Sequence, residues 1–429
     1  MKTIENKIKI NHSTHTNLDK KYILGRKEKN PEGLLNIGRY YALDSSLGSH
    51  VYLDALKPHV TLICGKRGYG KSYTMGVILE EISRLEEKIR KNLSLIVIDT
   101  LGIFWTSNYP NNEKEILKKW NIKSEKTKIN LFTPKKVVKD YEEKNIKTNV
   151  FSIKTSDLSS FHWLKLFKLN YTKPLGIAIT RVIQDLKEKN TDYSIDMIID
   201  LIKKDEKNDR IIINAAENLF KMADEWEIFK KKGLNLDKIV IPGEVSILDL
   251  SHIKDDSIKN IITSILSEKI FEERVKARKN YEIKKMSNKK QEKNMPLVWM
   301  AVDEAQIFLP KDEETSCKKV LINQWMRQGR QPGLSLILAT QRLSALDQEV
   351  LSHSDIIICH RLTSQNDIDS LSRIRPTYMY NSIEEMVKKI GEEKGLAFIV
   401  DDNSESTHLV KIRPRYSWHG GDEPYANKN

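Results

Sequence analysis

The sequence predicts an α/β fold in which a central, mostly parallel sheet is interrupted by an inserted bundle of helices. Short apolar runs such as VTLIC (60–64) and LSLIVID (93–99) alternate with helix-forming stretches, as in parallel α/β sheets. The octapeptide GKRGYGKS (65–72) directly follows the first run, at a strand-to-helix turn where such sheets bind ligands. Between residues 151 and 240, apolar residues recur at spacings of three and four, which indicates packed helices.

These patterns divide the 429 residues into five consecutive parts. The first is polar and basic and is expected to be a mobile arm, whereas the second and fourth together form the nucleotide-binding sheet. The third is the helical insertion, and the fifth is a short tail that is expected to be disordered beyond its glycines. The parts are residues 1–35, 36–150, 151–240, 241–415 and 416–429.

Within the insertion, Ser156 or Asp157 and Ser194 are expected to cap helices, because their side-chain oxygens accept hydrogen bonds from free backbone N–H groups. The large aromatic residues are expected to pack in the core of the bundle rather than to stack on bases. They are Trp163, Phe167, Phe220 and Trp226.

The octapeptide fits the pattern G-x-x-x-x-G-K-[ST] and precedes the helix-forming stretch TMGVILEEISRL (74–85). This context predicts a phosphate-binding loop for ATP, and a glycine-rich turn before an ordinary helix is the weaker interpretation. Lys71 is expected to reach the β- and γ-phosphates, and Ser72 is expected to bind Mg²⁺. The residues expected to contact the nucleotide are Gly65, Lys66, Arg67, Gly68, Tyr69, Gly70, Lys71, Ser72 and Tyr73.

A second apolar run, MPLVWMAVDEAQIFLP (295–310), carries two carboxylates at the edge where an open α/β sheet presents its ligands. Asp303 is expected to orient Mg²⁺, and Glu304 is placed to polarise the attacking water. Together with the phosphate-binding loop, this pair predicts an ATPase. Taken alone, an Asp-Glu pair at the end of a strand is commonly only solvated.

A third run, LSLILATQRLSALD (334–347), predicts a buried strand that carries Gln341 at its end. If this strand lies beside the strand of Asp303, Gln341 stands close to Glu304 and the γ-phosphate and can sense hydrolysis. A glutamine that only caps the strand is the alternative.

Between these two strands, the segment WMRQGRQPG (325–333) carries Arg327 and Arg330. In a ring ATPase, such an arginine commonly crosses the subunit boundary to the γ-phosphate of the neighbour and raises the rate by about 10³- to 10⁵-fold. Arg330 is preferred for this catalytic role because it borders the turn Gln331-Pro332-Gly333. An ordinary surface arginine is an equally good interpretation.

The segment 274–293 is rich in lysine and is predicted to link a long helix (258–280) to the strand of Asp303. Such a run is usually a solvated, mobile loop. The alternative is a surface that contacts DNA phosphates without reading sequence. The basic residues are Arg274, Lys276, Arg278, Lys279, Lys284, Lys285, Lys289, Lys290 and Lys293.

In their order, five segments resemble the HerA branch of the HerA/FtsK hexameric ATPases, over most of residues 36–421. The resemblance implies a RecA-like P-loop core, a six-membered ring, and ATP-driven movement on double-stranded DNA with a partner nuclease or effector. HerA proteins often carry a full N-terminal β-barrel, whereas here only 59 residues precede VTLIC and allow a few strands. The segments are VYLDALKPHVTLICGKRGYGKS, VDEAQIFLP, QGRQPGLSLILATQRLS, CHRLTSQNDIDSL and VKIRPRYSWHGG.

By the same resemblance, the last of these segments lies across a subunit boundary. Arg413 or Arg415 then touches the nucleotide of the neighbour or an acidic partner, and Pro414 between them keeps the segment extended. A basic edge strand whose charges discourage aggregation is the alternative.

The composition agrees with a DNA-binding protein but does not prove one. Lys and Arg exceed Asp and Glu by 72 to 59, and the resulting net charge of +13 suits a polyanionic partner. No helix-turn-helix, zinc-finger or RNA-binding pattern supports base-specific readout. The sequence shows neither an apolar stretch of about eighteen residues nor a signal peptide, so a cytoplasmic protein without a membrane partner is expected.

Two functional classes remain, and both use the same site. In the first, a homo-oligomeric ring, expected to be a hexamer, hydrolyses ATP and moves along double-stranded DNA. In the second, the ring is a nucleotide-regulated scaffold that assembles and activates a partner effector, for instance in antiviral defence, with little translocation. Small-molecule phosphotransfer is disfavoured because Glu304 and Gln341 suit hydrolysis.

Overall fold

The computed structural model describes most of the chain from residue 21 to residue 421. Lys289, Lys290 and Lys293 of the lysine-rich segment, and the end of the predicted tail, lie outside the described residues. The described residues are 21–28, 30–42, 44–189, 192–288, 295–373, 385, 387 and 390–421.

The strands form one large sheet and one small sheet. They are β1 (Tyr22–Leu24), β2 (Leu34–Tyr41), β3 (Leu47–Asp54), β4 (Val60–Cys64), β5 (Leu93–Asp99), β6 (Ile129–Pro134), β7 (Asn149–Phe151), β8 (Ile153–Lys154), β9 (Phe229–Lys230), β10 (Val245–Asp249), β11 (Leu297–Val302), β12 (Leu334–Thr340), β13 (Ile356–Cys359), β14 (Leu396–Asp401) and β15 (Ser406–Ile412).

The large sheet has the strand order β1-β3-β2-β15-β14-β13-β4-β12-β11-β5-β10-β6-β7, and β8 pairs with β9 separately. From β13 to β7 the neighbouring strands are all parallel. From β13 through β14, β15 and β2 to β3, each pairing is antiparallel, so these strands form a wing on one side. The predicted α/β fold with a mostly parallel central sheet is confirmed.

Helices cover both faces of the large sheet. Successive residues of a strand point to opposite faces, and in β4 Leu62 and Cys64 belong to one apolar core while Ile63 belongs to the other. The helices are α1 (Lys71–Arg84), α2 (Glu87–Arg90), α3 (Lys114–Lys119), α4 (Val138–Glu142), α5 (Ser160–Leu166), α6 (Pro174–Glu188), α7 (Ile195–Lys204), α8 (Arg210–Glu225), α9 (Asp256–Met286), α10 (Ser316–Val320), α11 (Gln348–His353) and α12 (Gln365–Ser372). A π-helical segment follows α10.

The prediction of a mobile arm up to residue 35 is wrong for its described part. β1 pairs with β3, and Leu24 and Leu35 are buried. The guanidinium of Arg26 pairs with the buried carboxylate of Asp54 at 3.0 Å. Polar and basic composition suggested an arm, but these long-range contacts fix residues 22–26 and 34–35 on the sheet.

The helical insertion contains α5 to α8, and the structure corrects one of its predicted caps. Ser159, rather than Ser156 or Asp157, caps α5 by accepting a hydrogen bond from the backbone N–H of His162. Ser194 caps α7 as predicted. The expected aromatic core is confirmed, because Trp163, Phe167 and Phe220 are buried together and Trp226 packs against their cluster.

The lysine-rich segment is not a linker in its described part, because α9 continues through Met286. Arg274 is buried, and its Nε donates a hydrogen bond to the carbonyl oxygen of Pro332 at 2.8 Å. This arginine therefore holds the turn before β12 and is not a phosphate contact. No helix in the described part of the chain, α9 included, is long and apolar enough to cross a membrane.

The C-terminal segment 413–421, here called the strap, lies along α1. Arg413 and Arg415 are both fully buried and both pair with the buried carboxylate of Glu80, at 3.2 and 3.1 Å. The backbone N–H of Ser417 adds a hydrogen bond to the same carboxylate. The predicted contact of these arginines with a neighbouring subunit is therefore wrong, because each arginine is already paired within the chain. The alternative prediction, an exposed basic edge strand, is wrong for the same reason, since both side chains are buried.

Candidate active site

The site lies where three neighbouring parallel strands end. β11, β12 and β4 are adjacent in the sheet, and their carboxyl ends carry the Asp303-Glu304 pair, Gln341 and the phosphate-binding loop. Because the carboxyl ends of parallel strands meet at one edge, residues far apart in sequence come together here. The loop itself requires glycine at Gly70, whose φ of 104° lies in the left-handed region.

Lys71 and Ser72 open helix α1 directly after the loop. The Nζ of Lys71 donates a hydrogen bond to the carbonyl oxygen of Lys66 at 3.0 Å. Burial lowers the pKa of Lys71, while the nearby carboxylates of Glu304 and Asp303 act in the opposite direction. The ammonium group is thus held inside the loop and next to the acids, where it can meet a phosphate.

The hydroxyl of Ser72 donates a hydrogen bond to Oδ2 of Asp303 at 3.1 Å. Asp303 is buried, and burial, followed by the charge of Glu304, raises its pKa to about 6. A hydroxyl and a carboxylate oxygen at this separation are the ligand types that Mg²⁺ prefers beside nucleotide phosphates. The residues present therefore fit the predicted metal ion, with Ser72 and Asp303 as the groups that would hold it.

Glu304 has an uncommon backbone conformation, with φ 51° and ψ 50° in the left-handed region. A residue other than glycine rarely adopts this conformation, and the strain is commonly found at functional sites. Here the conformation lets two consecutive residues, Asp303 and Glu304, both place their carboxylates at the end of β11.

Two amides hold the carboxylate of Glu304. The Nε2 of Gln341 donates to Oε1, as expected from the predicted adjacency of the two strands. The Nε2 of Gln306 donates to Oε2 at 2.6 Å, and its own carbonyl oxygen accepts from the hydroxyl of Thr340 at 2.7 Å. Sequence reasoning missed Gln306, although its position two residues after Glu304 in VDEAQ was a usable signal.

A row of three aspartates extends the site along the sheet edge. Asp99 and Asp249 stand opposite each other at the ends of β5 and β10, and Asp303 follows the next strand. Burial, followed by the charge of Asp249, raises the pKa of Asp99 to about 7. Asp99 also accepts hydrogen bonds from the backbone N–H groups of Leu101 and Phe104, so it orders the loop beside the site. The sequence shows Asp99 only as the end of a strand.

The other side of the loop packs on the residues that follow β13. A side chain at Gly65 would place a Cβ atom 2.7 Å from that of His360, which explains the glycine. His360 is buried, and its Nδ1 donates a hydrogen bond to the carbonyl oxygen of Leu396 at 3.0 Å. In the neutral ring its Nε2 accepts a hydrogen bond from the hydroxyl of Thr74 at 2.9 Å. Burial lowers the pKa of His360 to about 4, so the ring is neutral at pH 7. Sequence reasoning missed this support of the loop.

Tyr73, at the end of the predicted nucleotide-contacting set, faces the strap. Its hydroxyl accepts a hydrogen bond from the backbone N–H of Arg415 at 2.8 Å, and its ring contacts that of His419. Any contact between Tyr73 and a phosphate would therefore involve its backbone.

Arg330 does not join the other predicted site residues. It is exposed in the turn before Leu334, the first residue of β12, whereas Gln341 follows the last residue of that strand. The strand rise places these two positions roughly 20 Å apart. Arg327 pairs with Glu349 on α11, whereas the guanidinium of Arg330 makes no hydrogen bond or ion pair with any residue that the structure describes.

Comparison with known proteins places the chain in a family. The model of the family "Helicase HerA, central domain" matches residues 35–270. The chain is 28% identical over 200 residues to the DNA double-strand break repair helicase HerA of Pyrococcus furiosus, an alignment that covers 42% of this chain and 34% of that protein. It is 26% identical over 341 residues to the protein of the same name from Sulfurisphaera tokodaii, covering 78% of this chain and 61% of that protein.

A solved structure shares the fold over nearly the whole chain. VirB4 of Thermoanaerobacter pseudethanolicus superposes with a TM-score of 0.56 at 13% sequence identity, and the match covers 90% of this chain and 97% of that one. This likeness concerns the fold alone. The chain spans about a third of the length of the Pyrococcus relative and about three fifths of the length of the Sulfurisphaera relative.

Proposed function

The chain belongs to the HerA family of P-loop ATPases, and from that premise we propose that it hydrolyses ATP to move along double-stranded DNA. The observation that carries the proposal is the meeting of Ser72 with Asp303, beside a Glu304 whose carboxylate two amides hold in place. A site that only bound nucleotide would not need a positioned base next to the magnesium ligands.

The residues divide the chemistry among them. The backbone N–H groups of the loop and the Nζ of Lys71 bind the β- and γ-phosphates. Glu304 orients the attacking water and accepts its proton, while Gln341 holds this base in place through the hydrogen bond that its Nε2 donates. A bound Mg²⁺, held by Ser72 and Asp303, would supply charge neutralisation of the phosphate oxygens.

Double-stranded DNA is the proposed substrate for translocation, because the relatives from P. furiosus and S. tokodaii are named DNA double-strand break repair helicases. The net charge of +13 favours contact with a polyanion, and a motor that contacts phosphates steps over any sequence. We further propose a homo-hexameric ring in the cytoplasm that acts with a separately encoded nuclease or other effector. These last features rest on the family resemblance.

The decisive experiment measures ATP turnover by the purified chain with and without duplex DNA of several unrelated sequences. We expect duplex DNA to raise turnover severalfold, independently of sequence, and the stimulation to weaken steeply with salt because counterions compete for the phosphates. Lys71→Ala, which removes the phosphate contact, is the control and should abolish turnover. Turnover that is indifferent to DNA but rises with a partner protein would contradict the translocase.

A further inference from the structure

The placement of the active-site groups indicates the direction in which a bound nucleotide would run. In the sheet, β4 lies between β12 and β13. The groups placed to act on the γ-phosphate, Glu304 and Gln341, follow β11 and β12, on one side of β4. The nucleoside end of a triphosphate held by the loop therefore extends to the other side, over the end of β13.

A groove lies at that place. Its volume of about 290 Å³ is near the lower end for small-molecule pockets, which suits a nucleobase rather than a whole nucleotide. The loop after β13 and helix α12 contribute apolar walls through Leu362 and Ile368, and Val387 contributes a third apolar surface. Polar side chains, among them Gln365 and Glu392, complete the lining.

Arg361 joins the groove to the phosphate-binding loop. Its carbonyl oxygen accepts the backbone N–H of Lys66 at 2.7 Å, and its guanidinium donates to the hydroxyl of Tyr69 at 2.8 Å. The same guanidinium pairs with Glu392 at 3.1 Å on the far wall. The loop and the groove are thus held in a fixed relation, as a single ligand that occupies both would require.

We propose that this groove binds the adenine ring of ATP, with Leu362 and Ile368 packing on the base and Gln365 contacting its edge. The inference rests on the proposed function and deepens it, because it names the residues that select the nucleotide. It also gives α12, which carries no part of the phosphate chemistry, a direct role in substrate recognition.

Gln365 supplies the selectivity for adenine. Its Nε2 donates to Oδ1 of Asp369 at 2.8 Å, and no residue in the described part of the chain donates to its carbonyl oxygen. That oxygen is therefore the group left to accept a hydrogen bond from the exocyclic amino group of adenine. Guanine has a carbonyl oxygen at the corresponding position, so ATP is expected to bind more tightly than GTP.

The test compares ATP with inorganic tripolyphosphate, which contains the phosphates but no base, by isothermal titration calorimetry with Mg²⁺ on the full chain. Gln365→Trp fills the groove from an exposed position, and Asn366→Trp, also exposed but outside the groove lining, is the matched control. We expect Gln365→Trp to weaken ATP at least about tenfold, a loss of about 1.4 kcal/mol, and to leave tripolyphosphate unchanged. Asn366→Trp should leave both affinities unchanged.

A second variant tests recognition of the base edge. Because a single hydrogen bond contributes about 1 kcal/mol, Gln365→Ala should reduce the ratio of ATP to GTP affinity about fivefold. Unchanged ATP affinity in Gln365→Trp, or equal losses of ATP and tripolyphosphate, would overturn the proposal. A chain that binds ATP through the groove but does not hydrolyse it would contradict only the proposed function.

Discussion

Glu304 combines a rare backbone conformation with a carboxylate that is hydrogen-bonded on both oxygens. Strain of this kind, of order 1–3 kcal/mol, persists only where the surroundings over-determine the conformation. Here the amides of Gln306 and Gln341 provide that support. The geometry implies that Glu304 must hold one orientation, as a general base does.

We expect Glu304→Gln to bind ATP as tightly as the wild type and to lower turnover by about 10²- to 10⁴-fold, because the amide cannot accept the proton of the attacking water. The change preserves shape, so the phosphate contacts of Lys71 and the loop remain. Calorimetric titration with ATP and steady-state ATPase assays would measure the two effects separately. Normal turnover in this variant would remove Glu304 from the role of base.

Gln306 is expected to position Glu304 rather than to touch the substrate. In Gln306→Ala, Oε2 of Glu304 loses its 2.6 Å hydrogen bond, and the hydroxyl of Thr340 loses its acceptor. We expect kcat to fall by about tenfold to a hundredfold with little change in KM, since a misplaced base affects only the chemical step. Gln328→Ala, which removes an exposed amide that donates to the backbone carbonyl oxygen of Asn323, should change neither constant.

An unchanged kcat in Gln306→Ala would show that Gln341 and the backbone alone hold the base. A change in KM without a change in kcat would assign Gln306 to binding instead.

At the scale of elements, the strap fixes helix α1, which begins with Lys71 and Ser72. Glu80 lies nine residues further along this helix and accepts charge-assisted hydrogen bonds from Arg413 and Arg415. The position of Arg415 also explains Gly76, where a Cβ atom would lie 2.5 Å from the guanidinium of Arg415. The end of the chain therefore controls the orientation of the helix that presents the phosphate-binding loop.

Glu80→Gln should lower the free energy of unfolding by about 3–5 kcal/mol, because two buried guanidinium groups lose the buried carboxylate that they share. Arg413 keeps its ion pair with Glu81 at 2.8 Å, whereas Arg415 loses the partner of its Nε. Urea denaturation at pH 7 would measure the loss. Glu125→Gln, which removes the partner of Arg84 in an exposed ion pair, is the control and should have little effect. A Glu80 variant as stable as the control would show that packing and the remaining contacts of the strap hold it without Glu80.

The stability contributed by Glu80 should also depend on pH. Burial opposes its charge, but Arg415 and Arg413 outweigh burial and lower its pKa below 4.5. A carboxylate with a lowered folded-state pKa stabilises the fold fully above its unfolded-state pKa and loses that contribution as pH falls through the folded-state value. The difference in stability between the wild type and Glu80→Gln should therefore shrink in acid.

At the scale of the whole molecule, the features that the sequence predicted correctly are those determined by contacts between residues near one another in the chain or by a general rule of sheet topology. Features determined by contacts between distant segments were missed. The loop, the Asp303-Glu304 pair and Gln341 each follow an apolar run, and the rule that parallel strands end at one edge predicted their meeting. The pairing of Glu80 with Arg413 spans 333 residues, so no local pattern distinguished two buried arginines from an exposed basic edge. Gln306 and the Ser159 cap were missed because several neighbouring residues could fill either role.

The antiparallel wing could not be predicted for the same reason, because its strands pair across long distances in the sequence. β15 pairs with β2, so strands from the two ends of the chain complete one sheet. Sequence patterns identified both regions as strands but could not predict their partner, because the register depends on packing across most of the fold. The predicted arm failed for this reason, since its polar composition hides the burial of Leu24 and Arg26.

In the proposed ring, Arg330 would act on the nucleotide of the neighbouring subunit. This exposed arginine precedes β12, whereas the active site of its own chain lies at the other end of that strand, so Arg330 cannot reach a nucleotide bound there. Arg330→Ala should therefore bind ATP normally and fail to hydrolyse it, since the neighbour's γ-phosphate loses a positive charge. Mixing Arg330→Ala chains with Lys71→Ala chains, each inactive alone, should restore part of the ATPase activity. Each Arg330→Ala subunit can then receive an intact arginine from a Lys71→Ala neighbour.

Arg327→Ala is the matched control, because the Arg327 guanidinium is already paired with Glu349 within the chain. Rings of Arg327→Ala chains should keep most of the wild-type ATPase activity. Mixing these chains with Lys71→Ala chains should give no more activity than the Arg327→Ala chains have at the same concentration. Mixtures of Arg330→Ala and Lys71→Ala that stay inactive, although both variants assemble as the wild type does and Arg330→Ala binds ATP, would place no arginine of this turn in the neighbour's site. Contact between the active site of one subunit and its neighbour would then have to involve another surface. Arg330 would be an ordinary surface arginine.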